Sequence, residues 1–269
     1  MKTLNDHVII YDDECPACNL YTGVFVKTAM LDKNGREAYT TMDQQLHSIV
    51  DKKRACNEIA LVNTKQQTVT YGIDSLFIVI GHAIPLFKPL FSFRPFRWVM
   101  RKVYSLISYN RKIIVPGKIF EKENVCVPSF NLKYRWMYIL LTWIITSWIL
   151  KSFSGLVFPF IPPSNFYREF FICSGQIIFQ SIVISFLRRD RVIHYLGNMM
   201  TISFGGALLL LPALILPYVN LPILYIGWFM FIVMFMFIEH ARRVKLLGIH
   251  WLASVSWVVY RLIILLIIL

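Results

Sequence analysis

Two hydrophobic patterns divide the chain. Before about residue 120 the apolar runs are short and interrupted by polar turns. His7–Tyr11 is a run rich in β-branched residues that predicts a buried strand. Residues 15–30 predict a helix, with Leu20, Tyr21, Val24 and Phe25 on its apolar side and Pro16 in the first turn, where its missing N–H costs nothing. Residues 32–35 form a turn, 37–42 a second strand and 45–54 a short polar helix. Residues 58–63 and 68–71 alternate as strands joined by a hairpin at 64–67, and 72–83 form a helix that Asp74 or Ser75 can cap. After residue 134 the pattern becomes long and continuous. Five apolar stretches, 134–150, 170–187, 193–217, 221–238 and 249–269, each approach the ~20 residues that a bilayer core requires.

Composition agrees with that division. The chain is 57% hydrophobic and only 16% charged, outside the range of ordinary soluble proteins. Beyond residue 134 its acidic residues are Glu169, Asp190 and Glu239. The net charge of +13 comes from basic residues that flank the apolar stretches, so it argues for membrane orientation rather than nucleic acid as a partner. Residues 188–191 and 242–245 are basic, whereas 151–167 is nearly uncharged and 218–220 is uncharged. This alternation predicts five crossings, with the first domain cytoplasmic and the C-terminus outside, in a membrane of the bacterial inner type. Residues 1–6 have no apolar core of signal-peptide kind, consistent with a first domain that stays inside. The fold expected is an α/β thioredoxin-like domain over 1–120 with a basic connector, followed by a helical transmembrane domain over 121–269. Pro212 and Pro217 are expected to kink or end the third span. The small residues around Ser203–Gly206 suggest close helix packing.

Cys15 and Cys18 stand three residues apart directly after the first strand. A strand that delivers two cysteines to the start of a helix has the geometry of a dithiol/disulfide centre. Thiolate is the reactive form, and a helix N-terminus favours an anion. Cys15 is therefore expected to be the exposed nucleophile and Cys18 the buried resolving thiol. Asp12, Asp13 and Glu14 oppose the ionisation of Cys15 if all are charged. A protonated Asp12 would escape that conflict and serve as a proton carrier for Cys18. Two other readings of the cysteine pair stay open: a packed helix start with two small thiols, and a metal site. A metal needs more than two ligands, and Cys56 and His47 follow no metal spacing, so neither metal nor cofactor is expected. Five cysteines form a sparse, odd set that does not suit a disulfide-stapled secreted domain.

Asp12, Cys15 and Cys18 make an Asp-x-x-Cys-x-x-Cys motif that resembles the signature of the DCC family of thiol-disulfide oxidoreductases. The segment Tyr71, Gly72, Ile73, Asp74, Ser75 resembles the stretch before that family's later helix. Tyr104, Asn110 and Arg111, within residues 103–111, resemble its closing Tyr…Asn-Arg segment. The three matches follow the family's order over residues 7–118. Asp13 stands where the family usually has glycine, and the membrane half is outside the resemblance. The resemblance implies a thioredoxin-like fold and dithiol chemistry at Cys15 and Cys18, with a protein or small-molecule disulfide as substrate.

Residues 85–118 mix Lys88, Arg94, Arg97, Arg101, Lys102, Arg111, Lys112 and Lys118 with aromatic residues. Such a connector can lie on an anionic leaflet or cover the sheet of the first domain. Arg261 falls halfway along the last apolar stretch and invites a functional reading, a cavity or a partner helix, against simple snorkelling. Cys126 precedes the first stretch and Cys173 lies in the second; inert apolar thiols are the plain reading of both. The leading expectation is a membrane-anchored thiol-disulfide oxidoreductase. The alternative is a membrane assembly or transport component, with membrane-protein partners, in which the redox-like domain regulates or docks.

Overall fold

A computed structural model describes residues 2–116, 129–158, 160–165, 167–216 and 221–269. The chain divides into two compact units, Met1–Tyr134 and Arg135–Leu269. The division falls later than residue 120. Tyr134 belongs to the first unit because its ring stacks on Tyr109 at 4.8 Å and its carbonyl accepts from Asn110 Nδ2 at 3.0 Å.

The first unit is built on a small mixed sheet of four strands. They are β1 (His7–Tyr11), β2 (Arg36–Ala38), β3 (Ala60–Asn63) and β4 (Thr68–Tyr71), in the order β2-β1-β3-β4. β1 runs parallel to β2, with Ile9 opposite Arg36, and antiparallel to β3, with Ile9 opposite Leu61. The parallel pair requires a crossover, supplied by α1 (Pro16–Lys27). Successive side chains of β1 point to opposite faces, and Ile9 and Ile10 are both buried. Ile9 packs with Phe25, Leu31, Ile59, Leu61 and Val79, whereas Ile10 packs with Met42, Val50, Ala55, Ala60 and Val62. Cover on both faces explains why β1 reads as an unbroken apolar run.

Local chemistry shifts several predicted boundaries. The second strand stops at Ala38, and Tyr39–Thr41 tightens into a 3-10 turn. The helix expected over 45–54 is two short helices, α2 (Gln44–Ile49) and α3 (Lys52–Ala55). Asp51 divides them, because its Oδ1 accepts from the Arg54 N–H at 3.0 Å and starts a new helix. Helix α4 (Ile73–Ala83) is entered through Gly72 at φ 71°, not through a cap by Asp74 or Ser75. Those two side chains act elsewhere: Asp74 pairs with Arg97 and Arg101, and Ser75 Oγ donates to Thr70 O.

The connector folds into α5 (Lys88–Ser92) and α6 (Arg94–Ile114). One side of α6 covers the first unit: Tyr104 packs on the Ile9 cluster, and Ser108, Asn110, Arg111 and Ile113 are buried. The other side leaves Trp98, Val99 and Val103 exposed.

The second unit is helical. Its helices are α7 (Leu132–Ser154, begun in the first unit), α8 (Arg168–Arg188), α9 (Val192–Ile215), α10 (Pro222–Leu246) and α11 (Leu252–Ile268). Three apolar helical stretches among the described residues are long enough to cross a membrane: Leu132–Val157, Arg168–Ile215 and Pro222–Leu246. The second stretch contains α8 and α9, separated by a 3-10 turn at Arg189–Arg191 where the chain reverses, so that Tyr195 meets Gln180 at 2.9 Å. At 17 residues, α11 is about 25 Å long, short of a ~30 Å hydrocarbon core. Pro212 does not end α9, which continues to Ile215; Pro217 lies outside the described residues. The small-residue patch has the expected consequence. A Cβ at Gly206 would collide with the Met236 sulfur, so α9 and α10 approach closely there.

Candidate functional site

The corner between β1 and α1 carries the two cysteines. The strand ends at Tyr11, and a turn closes where the Cys15 N–H donates to Asp12 O at 3.2 Å. Cys15 is the N-cap of α1, in extended conformation at φ −91° and ψ 106°, and Pro16 follows in the first turn. The Cys15 sulfur accepts from the Cys18 backbone N–H at 3.4 Å. A thiol thus occupies the place that a serine or aspartate oxygen usually takes at a helix start. Cys18 is one turn further in, and both cysteines are free thiols.

The burial of Cys15 departs from the expectation of an exposed nucleophile: only 5% of its surface is accessible. A cavity of about 80 Å³ lies between α6 and the β1–α1 corner. Asp12, Cys15, Cys18, Tyr21, Tyr104 and Arg111 are among its lining residues. It is too small for a whole ligand of drug-like size, whose pockets run to ~300 Å³ or more. On the outer side of the same corner, Pro16, Asn19 and Leu20 are exposed.

Arg111 is the residue that reading the cysteines alone misses. Its Nη2 donates to Asp12 Oδ2 at 2.6 Å and to the Cys56 carbonyl at 2.8 Å. Asp12 and Arg111 are both buried, at 4% and 8% exposure. The other Asp12 oxygen accepts from the Glu14 N–H at 3.1 Å. Asp12 therefore stands in an ion pair, and it lines the same cavity as Cys18. Of its acidic neighbours, Asp13 accepts from Thr40 Oγ1 at 2.9 Å. The sequence does contain a signal for Arg111. It is the last residue of the Tyr…Asn-Arg segment, which gains a role only once α6 is folded over the cysteines.

The electrostatics separate the two thiols. The Cys15 thiol falls from an ordinary 9.0 to about 6. The hydrogen bond from the Cys18 thiol contributes most, and the Cys18 N–H and Arg111 add to it against burial and Asp12. Cys18 moves far upward, through that same hydrogen bond and through burial. Tyr104, whose hydroxyl accepts from the Ile59 N–H at 2.9 Å, is pushed up to about 12 by burial. The arrangement holds one thiolate at neutral pH with a protonated thiol beside it. Alkylation of Cys15 by iodoacetamide, followed by mass spectrometry, is expected to rise through a midpoint near pH 6 and to level off at neutral pH. Cys18 should stay unmodified throughout, and a Cys15 midpoint near its ordinary 9.0 would contradict this electrostatic arrangement.

The remaining cysteines separate as well. Cys56, which follows no metal spacing in the sequence, is disulfide-bonded. Cys126 lies outside the described residues, and Cys173 is a half-buried free thiol in α8. Among the described residues no cluster of histidine, cysteine, aspartate or glutamate has a composition able to hold a metal. Arg261, expected to snorkel or face a cavity, lays its guanidinium over the Trp257 ring at 3.8 Å. No family model, curated protein or solved structure matches the chain.

Proposed function

We propose that the protein is a membrane-anchored thiol-disulfide oxidoreductase of DCC type, working through Cys15 and Cys18. The observation that carries this reading is the placement of two free thiols one turn apart at the start of α1, with the Cys15 sulfur as N-cap accepting from the Cys18 N–H at 3.4 Å. In the reducing direction, the Cys15 thiolate attacks a substrate disulfide, forms a mixed disulfide and expels one substrate thiolate. Cys18 then loses its proton and attacks the Cys15 sulfur. The Cys15–Cys18 disulfide forms, the second substrate thiolate leaves, and two electrons have passed to the substrate. A dithiol reductant restores the starting state. Asp12 and Arg111 act as positioning residues, with Arg111 favouring the thiolate. A proton-carrier role for Asp12 predicts that Asp12→Asn changes the pH profile of Cys15 alkylation.

The sheet order β2-β1-β3-β4, with one parallel and two antiparallel pairings, supports a thioredoxin-like first unit. Helices α7–α10, each at least 21 residues long and with a reversal at Arg189–Arg191, support four crossings, and the shorter α11 over the last apolar stretch is proposed as the fifth. The basic flanks favour a cytoplasmic first unit. The Cys56 disulfide is of the kind that oxidising compartments preserve, so the orientation rests on those flanks.

Full-length protein in detergent, given a dithiol reductant and a small aromatic disulfide, should turn over the disulfide catalytically. Absence of turnover above that of reductant alone overturns the reading. A second reading, a membrane assembly or transport component, is favoured by the polar network buried in the second unit. It predicts that Arg261→Leu abolishes the cellular role while Cys15→Ser preserves it.

A further inference from the structure

The second unit buries a polar cluster that dithiol chemistry does not use. Tyr195 of α9 is at its centre. Its hydroxyl donates to Gln180 Oε1 of α8 at 2.9 Å and lies 2.9 Å from His240 Nε2 of α10. His240 Nδ1 lies 3.2 Å from Ser254 Oγ of α11, and Ser256 Oγ donates to Gln180 Oε1 at 3.3 Å. One set of protons satisfies the chain: Ser254 donates to His240 Nδ1, His240 Nε2 donates to Tyr195, and Tyr195 donates to Gln180. What remains is a surplus of donors. Gln180, at 0% exposure, has no partner for Nε2 among the described residues. The same holds for Gln176 Nε2, one turn earlier on α8, and for Trp257 Nε1, in a residue at 1% exposure.

Arg261 belongs to this group. Its guanidinium stacks on Trp257 at 3.8 Å, and Trp257 stacks on His240 at 5.1 Å between ring centroids. Arg261 Nε is also without a partner, and no ion pair engages Arg261 among the described residues. Helices α8 and α11 run antiparallel here, with Gln180 against Ser256 and the Ile172 carbonyl accepting from the Tyr260 hydroxyl at 2.8 Å. Gln176 lies between those two levels, beside the stretch that carries Trp257 and Arg261. A Cβ at Gly175 would collide with the Tyr260 hydroxyl, so the two helices are held close.

Four N–H donors on the facing helices α8 and α11, one of them on a positively charged side chain, therefore lack an acceptor among the described residues. Water can accept from the amides and the indole, but it brings no charge to balance Arg261. A planar monoanion does both. A guanidinium held flat against an indole keeps its edge free for the two oxygens of a carboxylate. A dianion would leave excess negative charge within an apolar bundle. We propose that helices α8–α11 form a binding site for a carboxylate monoanion, with Arg261 as the counter-charge and Gln176, Gln180 and Trp257 as donors. A small free acid and the head of a long-chain acid present the same chemistry.

The test uses full-length protein in phosphatidylcholine nanodiscs, with tryptophan emission recorded against acetate and against dibromostearate, whose bromines quench nearby indoles. A saturable change is expected with at least one of the two acids. Trp257→Phe should remove that change, and Arg261→Gln should weaken binding at least tenfold. Displacement of dibromostearate by acetate identifies a site for small acids; displacement by stearate but not acetate identifies a long-chain acid. If Arg261→Gln fails to fold, Arg261→Lys keeps the charge, loses the planar fork and should still bind severalfold more weakly. No saturable change with either acid, or wild-type binding in the folded Arg261 variant, leaves the donors to water and overturns the proposal. A Cys15→Ser background should bind as wild type, so failure here is distinguishable from failure of the dithiol reading.

Discussion

Cys15→Ser is expected to reduce disulfide turnover to the uncatalysed background, a loss of about 10³-fold or more, while Cys18→Ala should stop the reaction one step later. The two variants differ because the thiols have different tasks. Cys15 is the thiol drawn down to about 6, so at neutral pH it is the ionised nucleophile. Serine in its place cannot ionise there. Cys18 is pushed upward and attacks only after Cys15 has become part of a mixed disulfide. Cys18→Ala should therefore accumulate Cys15 joined to one substrate thiol, visible as a stable adduct on that cysteine. The same variant removes the thiol hydrogen bond that lowers Cys15 most, so its alkylation midpoint should rise from about 6 toward 9.0. Adducts that form equally on both cysteines, or turnover that survives Cys15→Ser, would contradict this division of labour.

The second large effect is expected at Arg111. Its pairing with Asp12 at 2.6 Å is buried on both sides. Removing one partner of such a pair leaves an uncompensated charge and costs about 3–5 kcal/mol. Arg111→Leu should thus lower the thermal midpoint of the first unit by roughly 10–20 °C in the full-length protein, taking about 4 °C per kcal/mol for a unit of this size. Replacing both partners, Asp12→Leu with Arg111→Leu, should recover most of that loss, because a buried ion pair and a packed apolar pair are often near equal in stability. The sulfur chemistry should not recover fully. Arg111 is among the causes that lower Cys15, so the single variant Arg111→Leu should also shift the alkylation midpoint upward. Thermal unfolding monitored by circular dichroism, with alkylation as the second readout, separates the structural role from the electrostatic one. A single variant as stable as wild type would mean that the pair contributes nothing to the fold.

Local signals carried much of this molecule. The β-branched run at His7–Tyr11, the alternation over β3 and β4, and Pro16 behind Cys15 each act within a few residues, and each element forms where its pattern points. The long apolar stretches likewise coincide with α7–α11, since a continuous apolar run leaves few other folds. What the chain does not announce is set by distance or by competition. Asp12 and Arg111 are 99 positions apart and meet only after α6 folds across the sheet. The same helix faces Cys15 across a small cavity, which no property of the Cys15–Cys18 segment foretells. Asp51 divides a helix that its neighbours would continue, and Gly72 takes the cap position that Asp74 and Ser75 could have filled. Arg261 was legible as an anomaly, but its stacking on Trp257 depends on a rotamer rather than on the sequence pattern.

The most direct measurement is a redox equilibrium of the intact protein. Samples held in graded ratios of reduced to oxidised glutathione would be acid-quenched, blocked at free thiols and read by the mass of the peptide that carries Cys15 and Cys18. A redox-active Cys15–Cys18 pair gives one reversible transition in which both blocking groups are lost together and the peptide lightens by two hydrogens. A peptide that keeps two blocked thiols at every ratio, or that gains only single glutathione adducts, would contradict it.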